Sequence, residues 1–193
     1  MHRLIMTVVA VLSVVLSGCA IATPTTTAAH LKVIPYTAPL TVTGVYPAHC
    51  SVFMVNGLPT PDRTCTPGSI GDRVTQDTIG STICVPNWTD TIRPASSITE
   101  RVKTVAVRAY GLEYADYTTI ELDHVVPLGL GGADDVTNFW PQRSDLPGAG
   151  FNNSKDSVER VLIKAVCARR VLLVAAQDAI AADWTTARAV LRV

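Results

Sequence analysis

The stretch IELDHVVPLGLGGADDVTNFW, residues 120–140, contains three side chains that could act together. Asp123 directly precedes His124, and Asn138 follows the histidine after a glycine-rich segment. A neutral imidazole can take a proton from water near pH 7, and a carboxylate is a hard oxygen ligand for Mg²⁺. These residue types predict metal-assisted hydrolysis of a phosphodiester, in which a cation neutralises charge that develops on the phosphate and the leaving oxygen.

The segment YTTIELDHVVPL, residues 117–128, has the β-branched composition of an extended strand. Successive side chains of a strand point to opposite faces, so Asp123 and His124 can serve one site only where the strand bends or ends. Pro127 and the glycines after it provide for that end. Asn138 is then expected to return beside His124 in a hairpin.

Three segments around this stretch have the composition and spacing of helices, namely 96–111, 154–167 and 171–184. The order is helix, strand, turn, short strand, helix, helix. This order predicts a small α+β domain and argues against a doubly wound sheet.

The ordered string of residues resembles the HNH endonucleases, which belong to the ββα-metal nuclease group, and especially exported bacterial members of that family. These proteins carry an E-x-D-H-x-x-P-L-x-x-G-G stretch, then N-x-W-P, then a helix that opens with K-D-x-x-E. The matching residues here are Glu121, Asp123, His124, Pro127, Leu128, Gly131, Gly132, Asn138, Trp140, Pro141, Lys155, Asp156 and Glu159. The similarity covers roughly residues 66–187 and implies a small ββα-metal core with flanking helices.

The resemblance implies a role for each matching polar residue. His124 would be the general base, Asp123 a metal ligand, and Asn138 the residue that orients the histidine. A residue on the following helix would complete the metal site; Asn153 is our choice for it, and Asn152 is the near alternative. Glu121, Lys155 and Asp156 would support this site from nearby positions.

The expected cofactor is a divalent metal, Mg²⁺ with Mn²⁺ as a possibility, and no small-molecule cofactor is expected. An amide oxygen in the last ligand position suits Mg²⁺ or Mn²⁺ better than Zn²⁺. The expected substrate is nucleic acid, DNA rather than RNA. The 16 basic and 16 acidic side chains give a formal net charge of zero, which argues against tight, non-specific binding of duplexes.

Two observations favour an alternative function, a catalytically inactive, surface-anchored binding lipoprotein on an HNH scaffold. The net charge is zero, and no histidine follows His124 to fill the family's last ligand position. Several of the matching residues also have a purely structural reading. Asn152 and Asn153 could cap a helix, and Lys155 with Glu159 could form an exposed pair one helical turn apart.

The N-terminal residues predict export. A short basic start and the apolar run LIMTVVAVLSVVL, residues 4–16, have the form of a signal peptide. The following LSGC resembles the bacterial lipoprotein signal, which implies cleavage before Cys19, lipid on Cys19 and attachment to the outer face of the cell membrane; cleavage after Ala22 and secretion is the alternative. We expect a signal peptide over 1–19 and a polar tether over 20–30.

The cysteines also predict an exported protein. Without Cys19 four remain, and an even number in an exported chain indicates two disulfides. Of three possible pairings we favour Cys50–Cys65 and Cys84–Cys167. The first would close a small β-rich segment over 31–66, in which Asn56-Gly57 predicts a hairpin turn. Residues 67–193 would form the HNH nuclease-like domain.

Overall fold

The protein, as a computed structural model, is described over residues 31–36 and 41–193, with the backbone alone for 114–116. The predicted signal peptide, Cys19 and the tether lie outside these residues. The described chain combines helices with three two-stranded sheets, which confirms the predicted α+β class. Its strands and α-helices are β1 (Lys32–Ile34), β2 (Phe53–Val55), β3 (Leu58–Thr60), β4 (Ser69–Gly71), α1 (Ser96–Ala109), β5 (Ile120–His124), β6 (Phe139–Arg143), α2 (Ser154–Cys167), α3 (Leu173–Asp183) and α4 (Ala187–Leu191).

The centre of the fold is the antiparallel hairpin of β5 and β6, in which His124 lies opposite Phe139 and Asp123 opposite Trp140. The extended segment is shorter than predicted, because residues 114–119 form a 3-10 helix and β5 begins at Ile120. Helix α2 follows β6. This order of two strands and a helix is the one that the family resemblance implies, whereas membership of the family stays a prediction.

The hairpin contacts two helices. Helix α1 contacts both strands, and Lys155 of α2 donates to the carbonyl of His124 at the end of β5. Phe139 and Trp140 at the start of β6 are fully buried, together with Leu162 and Val166 of α2. These residues belong to one hydrophobic core, which the hairpin and α2 share.

The segment 31–66 packs onto the rest of the chain and shares one core with it. The Tyr46 hydroxyl donates to the carbonyl of Phe139 at 3.1 Å, and the Cys50 amide donates to the carbonyl of Ala109 at 2.9 Å. Strand β1 pairs in parallel with β4, across the predicted boundary at residue 66. Within the segment β2 and β3 form the predicted hairpin, and Asn56 and Gly57 have the positive φ angles, 53° and 79°, of its turn.

Both predicted disulfides are present, Cys50–Cys65 and Cys84–Cys167. The second joins the segment before α1 to the last residue of α2 and closes a loop with a sequence separation of 83. Disulfides persist in oxidising compartments, so the pair indicates an extracytoplasmic or otherwise oxidising environment. Among the described residues, no helix has the length and apolar character needed to cross a membrane.

The two disulfides should contribute unequally to stability. Replacing Cys84 and Cys167 by serine should lower the free energy of unfolding by about 4–5 kcal/mol, because a long loop loses most entropy on closure. The matched replacement of Cys50 and Cys65, with a sequence separation of 15, should cost about 3 kcal/mol. Urea unfolding of the two double variants measures both values; a larger loss for the short loop would contradict the argument.

Candidate active site

His124 ends strand β5 with its imidazole held on two sides. Its Nε2 lies 3.1 Å from Oδ1 of Asp134, and its ring centroid lies 4.2 Å from that of Phe139. The side chains of His124 and Asp134 are 10% and 13% exposed. The imidazole is therefore largely buried but still reaches solvent, which a group that exchanges protons with water requires.

The loop after His124 turns back tightly, and glycines make the turn possible. Gly131 has a φ angle of +77°, which side-chain-bearing residues rarely adopt. A Cβ on Gly132 would lie 1.7 Å from the carbonyl oxygen of Val126, so only glycine fits there. The Gly132 amide donates to the carbonyl of Pro127 at 3.0 Å. This turn returns the chain to His124 with Asp134 facing the imidazole.

Asn138 holds this loop together through its side-chain amide. Its Nδ2 donates to the carbonyls of Val126 and Ala133, and its Oδ1 accepts from the amides of Val126 and Ser69. A carboxamide offers two donors and one oxygen with two lone pairs, so its hydrogen-bonding capacity is filled. Asn138 thus fixes the loop backbone, and the carboxylate that contacts the imidazole is that of Asp134; the predicted role of Asn138 in orienting His124 stays a prediction.

Asp134 was missed by the sequence reasoning. A weak signal was present, since Asp134 and Asp135 are adjacent acids directly after the glycine turn. Asp135 has a structural role, because its carboxylate accepts from Thr137 and from the hydroxyl of Thr43. Asp134 was thus the acid left for another role. The direction of its side chain, however, depends on the loop conformation, which the sequence does not give.

Lys155 brings a buried positive charge to the end of β5. Its side chain is 1% exposed, and its Nζ donates to the carbonyl of His124 at 2.6 Å and to the carboxylate of Glu159. Asp123 Oδ2 lies 2.8 Å from Nζ, an ion pair outside hydrogen-bond geometry. Burial alone would lower the pKa of Lys155, but Asp123 and Glu159 outweigh it and raise the pKa. The exposed-pair reading of Lys155 and Glu159 is therefore wrong.

A cavity of about 300 Å³ beside His124 is lined by four carboxylates, those of Glu121, Asp123, Asp156 and Glu159. Asp123 and His124 both reach it, as expected for a strand that ends there. Burial, with repulsion from Asp123 and Asp156, raises the pKa of Glu121 to about 8. Burial also raises the pKa of Glu159 to about 7. The raised pKa values mean that Glu121 and Glu159 are partly protonated near neutral pH, which lowers the negative charge of the cavity.

Asn153 is the N-cap of α2. Its Oδ1 accepts from the Lys155 amide at 3.0 Å, and Asp156 completes a capping box by accepting from the Asn153 amide. Its Nδ2 donates to Glu121 at 3.2 Å. Neither Asn153 nor the exposed Asn152, whose amide donates to Ala149, is among the side chains that line the acidic cavity. Their predicted role as metal ligands stays a prediction.

A second cavity of about 260 Å³ lies on the α1 side of the hairpin and shares Arg93, Glu121, Leu122 and His124 with the first. Arg93 is exposed, and within the described chain it forms no hydrogen bond or ion pair. Lys103 lines the same cavity with its Nζ 4.0 Å from the ring centroid of Tyr117. His124 therefore lies between an acidic cavity and one that is lined by two cationic side chains together with Glu100 and Glu121.

The acidic cavity is lined by oxygen atoms, which hard divalent cations prefer as ligands. Over residues 31–36 and 41–193, no three His, Cys, Asp or Glu side chains form a group that could hold a metal ion. Mg²⁺ commonly binds through one or two carboxylates, with water and substrate phosphate oxygens as the other ligands. The carboxylates of Asp123 and Glu121 lie two residues apart on one strand and line one cavity, which suits such a site.

Searches for a matching protein-family profile, a similar curated protein and a similar solved structure found no match to this chain.

Removing the buried charge of Lys155 should destabilise the fold. Lys155→Met leaves the partly buried carboxylates of Asp123 and Glu159 without their counter-ion, at a cost of about 3–5 kcal/mol. The same substitution at the exposed Lys164 of α2 is the control and should change stability by less than about 0.5 kcal/mol. Urea unfolding measures both.

The loss should depend on pH. The folded-state pKa of Glu159, about 7, already lies above its ordinary value of 4.5, and removing Lys155 raises it further. A carboxyl with a raised folded pKa destabilises the fold as pH rises through that range. The difference in the free energy of unfolding between Lys155→Met and the parent should thus be larger at about pH 8 than at about pH 5. Equal losses at both would contradict this account.

Proposed function

We propose that this protein is an exported, metal-dependent endonuclease of the HNH type that hydrolyses phosphodiester bonds of nucleic acid, with DNA as the expected substrate. The observation that carries the proposal is the position of His124. Its imidazole lies at the junction of a carboxylate-lined cavity and a cavity with Arg93 and Lys103. Phosphodiester hydrolysis needs a base between a divalent cation and groups that hold phosphate.

In the proposed reaction His124 takes a proton from water as the water oxygen attacks phosphorus. The bond between phosphorus and the 3′-oxygen breaks, and the leaving oxygen takes a proton from solvent. Asp123 and Glu121 would hold Mg²⁺ or Mn²⁺, and Asn153 would orient Glu121 through its 3.2 Å hydrogen bond. The bound cation would polarise the phosphate and stabilise charge on the leaving oxygen.

Arg93 would hold a phosphate of the bound strand. Its guanidinium is exposed and lines both cavities beside His124. A planar guanidinium suits phosphate because it can donate two parallel hydrogen bonds. Two cations beside the base would let a protein with zero net charge bind a polyanion locally.

The purified, oxidised protein should nick plasmid DNA in the presence of Mg²⁺ or Mn²⁺, and EDTA should stop the reaction. His124→Ala should slow cleavage about 10²–10⁴-fold, the contribution of a positioned general base. His49→Ala is the matched control, since His49 is exposed and far from the hairpin in sequence. A His124→Ala variant that cleaves as fast as the parent would refute the mechanism. The same assay with a structured RNA in place of the plasmid compares the rates of cleavage of RNA and DNA.

A binding protein without catalysis is the second candidate, and the ion pair of Lys155 with Asp123 favours it, because an ammonium group already lies beside the predicted metal ligand. Calorimetric titration of the oxidised protein with Mn²⁺ distinguishes the two functions. Uptake of one ion that Asp123→Asn abolishes supports the nuclease. No uptake supports binding alone.

Attachment to the membrane is also part of the proposal, with Cys19 as the lipid-modified first residue of the mature chain. Cells fed an alkyne-tagged fatty acid should label the parent protein but not Cys19→Ser. Thr26→Ser, in the predicted tether, is the control and should be labelled like the parent. Label retained by Cys19→Ser would show that Cys19 is not the site of lipidation and would favour ordinary secretion.

A further inference from the structure

The contact between Asp134 and His124 has a chemical consequence for the imidazole. A neutral imidazole carries one proton, on either Nδ1 or Nε2, and its partner decides which nitrogen holds it. An ionised carboxylate can only accept a hydrogen bond. Oδ1 of Asp134 lies 3.1 Å from Nε2, and a neutral imidazole that donates to this carboxylate carries its proton on Nε2 and its lone pair on Nδ1.

We infer that Asp134 is a positioning residue that holds His124 in the Nε2–H tautomer and so makes Nδ1 the atom that accepts a proton from water. The inference rests on the proposed function for its kinetic consequence. Its structural part, the identity of the tautomer, is independent of whether the protein cleaves nucleic acid.

Three features of the site hold the pair in place. The Phe139 ring lies against the imidazole and limits its rotation. The side chain of Asn138 binds the carbonyl of Ala133, the residue directly before Asp134. The Lys155 ammonium binds the carbonyl of His124 itself. Both partners are therefore fixed through their backbones, and the carboxylate meets the ring in one orientation.

Long-range ¹H–¹⁵N correlation spectra of the ¹⁵N-labelled, oxidised protein test the tautomer directly, at a pH at which the histidines are neutral. The four histidines give few signals, and His124→Ala identifies the one that belongs to His124. In the parent the spectrum should show a protonated Nε2 and an unprotonated Nδ1. A protonated Nδ1 would overturn the inference.

Two substitutions of Asp134 test whether its carboxylate sets the tautomer of His124. Asp134→Ala removes the acceptor and should give the averaged shifts of a tautomer mixture. Asp134→Asn places an amide nitrogen that can donate to Nε2 beside the ring and should shift the signals towards the Nδ1–H pattern, which tests the role even if the alanine variant folds poorly. Asp77→Asn, at an exposed position away from the site, should leave the pattern unchanged. An unmixed Nε2–H pattern in Asp134→Ala would show that Asp134 is not needed.

Kinetics test the same role through activity. Asp134→Ala should lower kcat about 10–100-fold, the usual cost of losing the partner that orients a functional histidine, while KM stays within about twofold, because a positioning residue does not touch substrate. Asp134→Glu, which keeps an ionised acceptor, should recover most of the loss, whereas Asp134→Asn should not. A parent protein that cleaves nothing would refute the proposed function, whereas the spectra would still decide the tautomer.

Discussion

The buried ammonium of Lys155 is the interaction on which the arrangement around His124 depends. One nitrogen contacts the carbonyl of His124, the carboxylate of Asp123 and the carboxylate of Glu159, and so joins the last residues of β5 to the first turns of α2. Transfer of a lone ammonium group into a protein interior is costly, and it is tolerated here because two carboxylates and a carbonyl replace its water. The hairpin and helix are thereby fixed relative to each other at the point where the strand ends.

Three polar residues each position a different part of the site. Lys155 fixes the backbone of His124 from the side of α2, whereas Asn138 fixes the loop that returns to it. Asn153 starts α2 and also bonds Glu121 on β5. Each of these side chains is buried and bonds to more than one element. Loss of any one therefore leaves a buried polar group without a partner, which costs more than the bond itself contributes.

Most of the features that the sequence predicts correctly are set by residues close together in the chain. The Asn56-Gly57 turn, the capped start of α2 and the strand that ends before Pro127 each depend on neighbouring residues. The disulfide pairing followed from the number of cysteines and the preference for one short and one long loop, and it is confirmed. The resemblance to one family added roles for residues, which stay predictions; the structure shows that His124 and Asp123 line one cavity.

The errors arise where a side chain meets parts of the chain that are distant in sequence. Lys155 and Glu159 have the spacing of an exposed helical pair, and only the packing of α2 against β5 buries them. The contact of Asp134 with His124 was missed because the tight turn at Gly132, held by the side chain of Asn138, sets the direction of the Asp134 side chain. The parallel pairing of β1 with β4 joins segment 31–66 to the core, and no local pattern indicates such a pairing.

The charges around His124 would make the binding of a phosphodiester depend on a bound cation. Four acidic side chains line one side of the imidazole, and those that are ionised would repel a phosphodiester that approaches without a cation. A divalent ion reverses that repulsion, so that metal and substrate would favour each other's binding. Lys103 lies on the opposite side, and Arg93 lines both cavities, so that a phosphate held by Arg93 would lie next to the cation. A site of this kind needs no excess of positive charge over the whole protein, which is consistent with its formal charge of zero.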